Sequence, residues 1–106
     1  MGYIKDIFDE AQEEARRHSL ETVGEDVMIY PCGFAWVELK VRKNSKIGKE
    51  VEAEGIMDWD DYRKCYKYWV GGYNQSVQHK EAHAQKLAEI LSNELFAPFK
   101  ANSRLD

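Results

Sequence analysis

The stretch Cys32-Gly-Phe-Ala-Trp-Val-Glu-Leu-Lys-Val41 decides the fold, because it is the most strand-like run in the chain. Alternate residues of a strand point to opposite faces of the sheet. One face of this strand carries Gly33, Ala35, Val37, Leu39 and Val41. The other face carries Cys32, Phe34, Trp36, Glu38 and Lys40. The first half of the strand is therefore apolar on both faces.

Further strands are predicted downstream. A second strong strand is expected from about Tyr62 to Val70, where Tyr66, Tyr68 and Val70 alternate with Cys65, Lys67 and Trp69. Ile56-Met57 predicts a short strand or only a loop, followed by a turn that contains Asp58, Asp60 and Asp61. The tail from Phe96 to Asp106 contains Pro98, so a strand there is expected at a sheet edge.

Three segments have helical periodicity. From Tyr3 to about Leu20 the apolar residues recur at helical spacing, and they are Ile4, Ile7, Phe8, Ala11 and Ala15. A short helix is expected from Asn44-Ser45, as N-cap candidates, to Glu54, with Gly55 as the C′ residue. The clearest apolar stripe follows Gly71-Gly72 and consists of Ala84, Leu87, Ala88, Leu91 and Leu95.

This order of elements predicts an α+β fold with a three- or four-stranded, mostly antiparallel sheet and two helices packed on one face. A ferredoxin-like split βαβ arrangement is one alternative, and a three-stranded sheet in which Ile56–Asp58 is only loop is another. The chain divides into an acidic N-terminal helix with its connector, residues 1–28, and an α+β domain, residues 29–106. The N-terminal helix is expected either to cover the other face of the sheet or to mediate self-association as a homodimer.

Length and charge limit the classes of function. The 106 residues suit one domain and exclude most large enzyme folds. The net charge is −4, but residues 1–28 carry −5 and residues 29–106 carry +1. A mildly acidic chain argues against sequence-independent binding of nucleic acid, without excluding a local site. The sequence has neither the apolar run of about 20 residues that spans a membrane nor signal-peptide regions, so a cytoplasmic protein without membrane contact is expected.

Three segments carry a resemblance to a known family. They are Cys32-Gly33-Phe34-Ala35-Trp36-Val37, Trp69-Val70-x-x-Tyr73-Asn74-Gln75-Ser76 and Ser103-Arg104-Leu105-Asp106. In these segments the chain resembles a family of small, uncharacterised proteins encoded by tailed bacteriophages, over roughly residues 30–106. The resemblance implies a phage origin and expression inside a bacterial host. It implies no activity.

The first candidate site is the aromatic face of the two strong strands. By alternation, Phe34, Trp36 and Trp69 point away from the face that carries Val37, Leu39 and Val70. Aromatic side chains on such a face can stack on bases, as in RNA-binding modules. The basic–aromatic motif of those modules is absent, however. The commoner outcome is that the amphipathic helix Ile4–Ala15 buries its apolar stripe on this face.

The second candidate site is the segment Gly71-Gly72-Tyr73-Asn74-Gln75-Ser76 at the start of a helix. The free N–H groups of a helix start can bind an anion, and Asn74, Gln75 and Ser76 add donors. The order of residues matches neither a P-loop nor a dinucleotide fingerprint. A turn followed by an N-cap is the commoner structure. Arg104 strengthens the anion hypothesis if the tail folds back beside this loop.

The remaining motifs give no catalytic or metal site. His79 and His83 lie four residues apart on one helix face, but a zinc site needs a third ligand, so solvated or core-edge histidines are expected. The aspartates 58, 60 and 61 lack the twelve-residue calcium loop that would follow them. Neither Cys32 nor Cys65 has a neighbouring base in the sequence that would activate a thiol. No metal and no cofactor are expected.

The sequence therefore favours a small, non-enzymatic, phage-encoded binding protein that acts on a host protein. Trp, Tyr and Arg dominate the energetics of protein interfaces. The residues expected to contact a partner or frame the contact are Trp36, Trp69, Tyr73 and Arg104. The alternative is a nucleotide or single-stranded nucleic-acid binder, in which Gln75 and Ser76 hold phosphate at the helix start.

Overall fold

The computed structural model describes residues 3–24, 33–71 and 77–105, leaving aside the side chains of Tyr3 and Leu105. Within these ranges the chain forms three helices and four strands. In chain order they are α1 (Tyr3–Val23), β1 (Gly33–Leu39), α2 (Lys46–Ala53), β2 (Asp58–Asp60), β3 (Cys65–Trp69), α3 (Val77–Leu95) and β4 (Phe99–Leu105). The predicted α+β class is confirmed.

The four strands form one antiparallel sheet in the order β2-β3-β1-β4. Strand β1 lies in the middle, where Trp36 is opposite Trp69 of β3 and opposite Asn102 of β4. Among the described strands β4 pairs only with β1, which confirms the expected edge position after Pro98. A proline has no N–H for a ladder hydrogen bond, so the edge strand is where it is tolerated.

Strand β2 differs from the sequence prediction. The expected short strand was Ile56-Met57 and the aspartates were expected in a turn, but the strand is Asp58–Asp60. The three-stranded alternative is therefore wrong. The edge ladder with β3 is held by charge and aromatic contacts, since Asp60 Oδ2 lies 2.8 Å from Lys67 Nζ and the ring of Trp59 lies 5.1 Å from that of Tyr66.

Strand β3 begins at Cys65, three residues later than Tyr62, because a tight turn precedes it. The Asp60 carboxylate accepts the backbone N–H groups of Tyr62 and Arg63 at 2.8 and 3.1 Å. An aspartate that bonds the backbone two residues on stabilises a turn rather than an extended strand. Lys64 has a φ of +55° and completes the reversal.

The N-terminal helix does not cover the aromatic face, which corrects the prediction from the sequence. The apolar stripe of α1 is buried against α3, and the ring of Phe8 meets the core-side ring of Tyr68 at 4.9 Å. Gln12 Nε2 also donates a hydrogen bond to the Tyr68 hydroxyl. Most of this stripe is therefore buried within the chain. No helix in the described ranges is long and apolar enough to cross a membrane.

Helix α2 has the predicted caps and packs against the same side of the sheet. Ser45 Oγ accepts the N–H of Gly48 at 3.2 Å, and Gly55 follows the helix at a φ of +71°. Gly48 also permits close packing, because a Cβ at this position would lie 2.5 Å from the ring of the buried Tyr66. All three helices therefore lie on the face of the sheet that carries Ala35, Val37 and Leu39.

Candidate binding surface

The opposite face of the sheet is covered by none of the helices that the structure describes. We call it the open face. By strand register its side chains are those of Asp58, Asp60, Cys65, Lys67, Trp69, Phe34, Trp36, Glu38, Lys100, Asn102 and Arg104. The predicted aromatic site thus stands on this face without the helix that was expected to bury it.

Three aromatic rings form a cluster on the open face. The ring centroids of Trp36 and Trp69 are 4.9 Å apart, and those of Phe34 and Trp69 are 6.1 Å apart at 84°. Trp36 is only 6% exposed, whereas Trp69 is 49% exposed. Trp69 is therefore the ring that a ligand can reach, and Trp36 supports it from beneath.

Cationic groups lie against these rings. Lys67 Nζ is 4.6 Å from the ring centre of Trp36 and 4.8 Å from that of Trp69, and Asp60 holds it by an ion pair. The Arg104 guanidinium lies 5.4 Å from the ring centre of Phe34. A cation over the face of an aromatic ring is attracted by the ring quadrupole. These contacts fix the positions of both the charges and the rings before any ligand arrives.

A buried carboxylate organises the middle of the open face. Glu38 is fully buried, and its Oε2 accepts hydrogen bonds from Trp36 Nε1 at 2.7 Å and from Arg63 Nε. Lys40 Nζ lies 3.2 Å from Oε1. Burial by itself raises the pKa of Glu38, but the hydrogen bonds from Trp36, Arg63 and Lys40 outweigh it and lower the pKa to about 2. Glu38 is therefore ionised at neutral pH and holds the Trp36 indole in place.

Charge changes sign across the open face. The β2 edge carries Asp58 and Asp60 and is followed by Asp61, whereas the β4 edge carries Lys100 and Arg104. A groove of about 370 Å³ at the acidic edge reaches Trp69. The exposed Trp69 thus lies between an acidic border and a basic border.

The second predicted site cannot be placed. Tyr73, Asn74, Gln75 and Ser76 lie outside the described residues, as does Cys32. Arg104, which was expected to support an anion site there, stands on the open face directly opposite Phe34. The structure therefore brings Phe34, Trp36, Trp69 and Arg104 together, and the anion site stays a prediction.

The paired histidines are buried where α1 meets α3, so they are not solvated, whereas the predicted place at the edge of the core fits His83, which lines a surface groove with Gln12 and Arg16. His79 Nε2 donates to the carbonyl oxygen of Gly24, and His83 Nε2 donates to Gln12 Oε1. Burial, helped by the charge of Arg16, lowers the pKa of His83 to about 4. These histidines join the two helices. In the described part of the chain no group of three or more His, Cys, Asp or Glu side chains could hold a metal ion.

The sequence reasoning missed two features of the open face, the hydrogen bond between Trp36 and Glu38 and the contact of Arg63 with Glu38. The spacing of Trp36 and Glu38 puts both on one face of a strand, which could have suggested the indole–carboxylate hydrogen bond. Nothing in the sequence signals Arg63, because it reaches Glu38 from a turn 25 residues away.

Neither a protein-family model nor a curated protein nor a solved structure matches this chain. Function is therefore inferred from the geometry of the open face.

Proposed function

We propose that this chain is a phage-encoded, non-enzymatic binding protein that contacts a host protein through its open face, in the cytosol of the bacterial host. The observation that carries the proposal is the half-exposed Trp69 on a sheet face that none of the described helices covers, between an acidic and a basic edge. The resemblance to small phage proteins supports a phage origin and a location in the cytosol of the bacterial host. It also makes a host protein the natural partner.

The distribution of charge favours a protein as the partner. A protein surface can present basic groups to Asp58 and acidic groups to Arg104 at the same time, whereas a nucleic-acid backbone is repelled by the β2 edge. Exposed Trp and Arg side chains that are already held in place are the residue types that dominate the energy of protein interfaces. Complementary charges at the two edges would set the orientation of the partner.

We further propose that the domain has ferredoxin-like topology. The order β1-α2-β2-β3-α3-β4, with β1 and β3 adjacent in the middle of the sheet, supports this assignment. A binding rather than a catalytic role fits the chemistry of Cys65, since burial and the nearby Glu38 raise the pKa of its thiol. A thiol with a raised pKa is a poor nucleophile at neutral pH.

Replacing Trp69 by alanine tests the contact surface. We expect Trp69→Ala to weaken binding to the host protein about tenfold or more, because Trp69 is the exposed ring of the aromatic cluster on the open face. The partner is isolated by affinity purification with the wild-type chain from an infected or expressing host, and its affinity for purified variants is then measured by calorimetry. Glu52→Ala is the control, since Glu52 is exposed on α2, on the other side of the sheet. Equal affinities for the Trp69→Ala variant and the wild type would exclude the open face as the contact.

A single-stranded nucleic acid is the second candidate ligand, and the Arg104 guanidinium against the ring of Phe34, beside Trp69, favours it. Aromatic side chains interleaved with cations bind single strands by stacking and phosphate contacts. If this candidate is correct, immobilised single-stranded DNA or RNA retains the protein at low salt, and both added salt and Arg104→Gln reduce retention. If the protein is not retained on the immobilised nucleic acid even at low salt, the nucleic-acid hypothesis is wrong and the protein-partner hypothesis remains.

A further inference from the structure

An exposed aromatic side chain lies beside an apolar groove at one end of the helical layer. Phe96 directly follows α3 and is 92% exposed. The groove, of about 400 Å³, runs between α1, α2 and the end of α3. Its apolar lining consists of Ile4, Ile47, Leu95, Ala97 and one side of Phe96 itself. This patch is on the side of the sheet opposite the open face, so a molecule bound here leaves Trp69 accessible.

The backbone at Phe96 makes an aromatic residue unexpected at this position. Its φ is +52°, and its N–H donates to the carbonyl oxygen of Ser92 at 3.0 Å, which terminates the helix. Left-handed backbone after a helix is usually occupied by glycine, because a Cβ is crowded there. The exposed Phe96 ring gains little from packing within the chain to offset this strain. Burial of the Phe96 side chain by another molecule would offset the strain of this backbone conformation.

We infer that the other molecule is a second copy of this chain, and that Phe96 of each copy inserts into the groove of the other. Lys46 and Glu50, one turn apart on α2, both border the groove. In a twofold symmetric contact the same patch meets itself, and an axis that passes between these two side chains sets Lys46 of one copy opposite Glu50 of the other, twice. The patch holds a projection, a recess and charges of both signs, and is therefore complementary to itself. The contact is independent of the proposed host partner.

The oligomeric state of the purified full chain tests this inference. Light scattering after size exclusion, over about a hundredfold range of concentration, should show a monomer–dimer equilibrium. Phe96→Gly should weaken association about tenfold or more while it raises the thermal midpoint of the dilute protein, because glycine suits the positive φ. Tyr62→Ala is the control, since Tyr62 is equally exposed but lies in the turn before β3. A wild-type chain that is monomeric throughout this range overturns the inference.

A charge swap separates a second copy from any other occupant. Lys46→Glu and Glu50→Lys should each weaken the dimer, because each places like charges opposite one another across the twofold axis. The double variant should recover the wild-type affinity, since the two pairs are restored with their signs exchanged. If the double variant is as weak as the single variants, Lys46 does not face Glu50 of a second copy, and the symmetric contact is wrong.

Discussion

Glu38→Ala should destabilise the protein by about 3 kcal/mol at pH 7, because it removes the central acceptor from a buried charged cluster. Trp36 Nε1 then has no acceptor within a nearly buried environment, and Arg63 and Lys40 lose their common counter-charge. The free energy of unfolding, measured by urea denaturation, gives the effect. Glu52→Ala on the exposed surface of α2 is the control and should change the stability little.

The conservative variant Glu38→Gln separates charge from hydrogen bonding. Its amide oxygen can still accept from Trp36, so an intermediate loss of stability is expected. Because the folded pKa of Glu38 is lowered to about 2, its stabilisation is complete above pH 4.5 and is lost as the pH falls from 4.5 towards 2. That part of the acid sensitivity should be absent in Glu38→Gln. If both variants are as stable as the wild type, the cluster contributes nothing to stability.

The strands and helices with strong side-chain patterns could be predicted from the sequence. The alternation in β1 gave both faces correctly, and the stripe from Ala84 to Leu91 gave the buried side of α3. Strand β2 could not be predicted, because a three-residue edge strand depends on backbone pairing with β3 rather than on its own side chains. The sequence also could not show whether α1 packs against the aromatic face of the sheet or against α3, because both surfaces are apolar.

The packing of α1 depends on polar contacts between residues far apart in the chain. Ser19 Oγ donates to the carbonyl oxygen of His79 at 2.6 Å, and Gln12 bridges His83 and Tyr68. Each of these bonds satisfies a buried polar group, and leaving such groups unpaired costs about 1–3 kcal/mol each. Moving α1 to the aromatic face would break all of them. The buried histidines thus help to hold α1 away from the candidate binding surface.

Sequence reasoning found the aromatic members of the open face but not what holds them. Phe34, Trp36 and Trp69 follow from alternation alone. The degree of burial of each ring cannot be derived in this way, because it depends on which cationic side chains lie against the rings. Lys67 rests against both indoles and so helps to bury Trp36, while Trp69, at the end of β3, stays half exposed. This difference makes Trp69, rather than Trp36, the ring that a ligand can reach.

Acidification from pH 6.5 to 4.5 should lower the free energy of unfolding by about 2 kcal/mol through His83 alone. Burial and the Arg16 charge lower the pKa of this imidazole from 6.5 to about 4 in the folded protein. Across that window the unfolded state binds a proton that the folded state excludes. Stability is therefore fully present above pH 6.5, declines as the pH falls and levels off below pH 4. The transition can be followed by urea denaturation at a series of pH values.

The variant His83→Gln should show a much flatter dependence of stability on pH over the same window. Glutamine stays neutral and can still donate to Gln12. The variant therefore keeps the hydrogen bond and removes only the titratable imidazole. His18→Gln is the control, because His18 lies on the outer side of α1 and bonds only weakly to Thr22 at 3.4 Å. It should keep the wild-type slope. If the slope of stability against pH is unchanged in His83→Gln, the acid sensitivity arises from other groups. The proposal that His83 is held as a neutral imidazole between α1 and α3 would then be wrong.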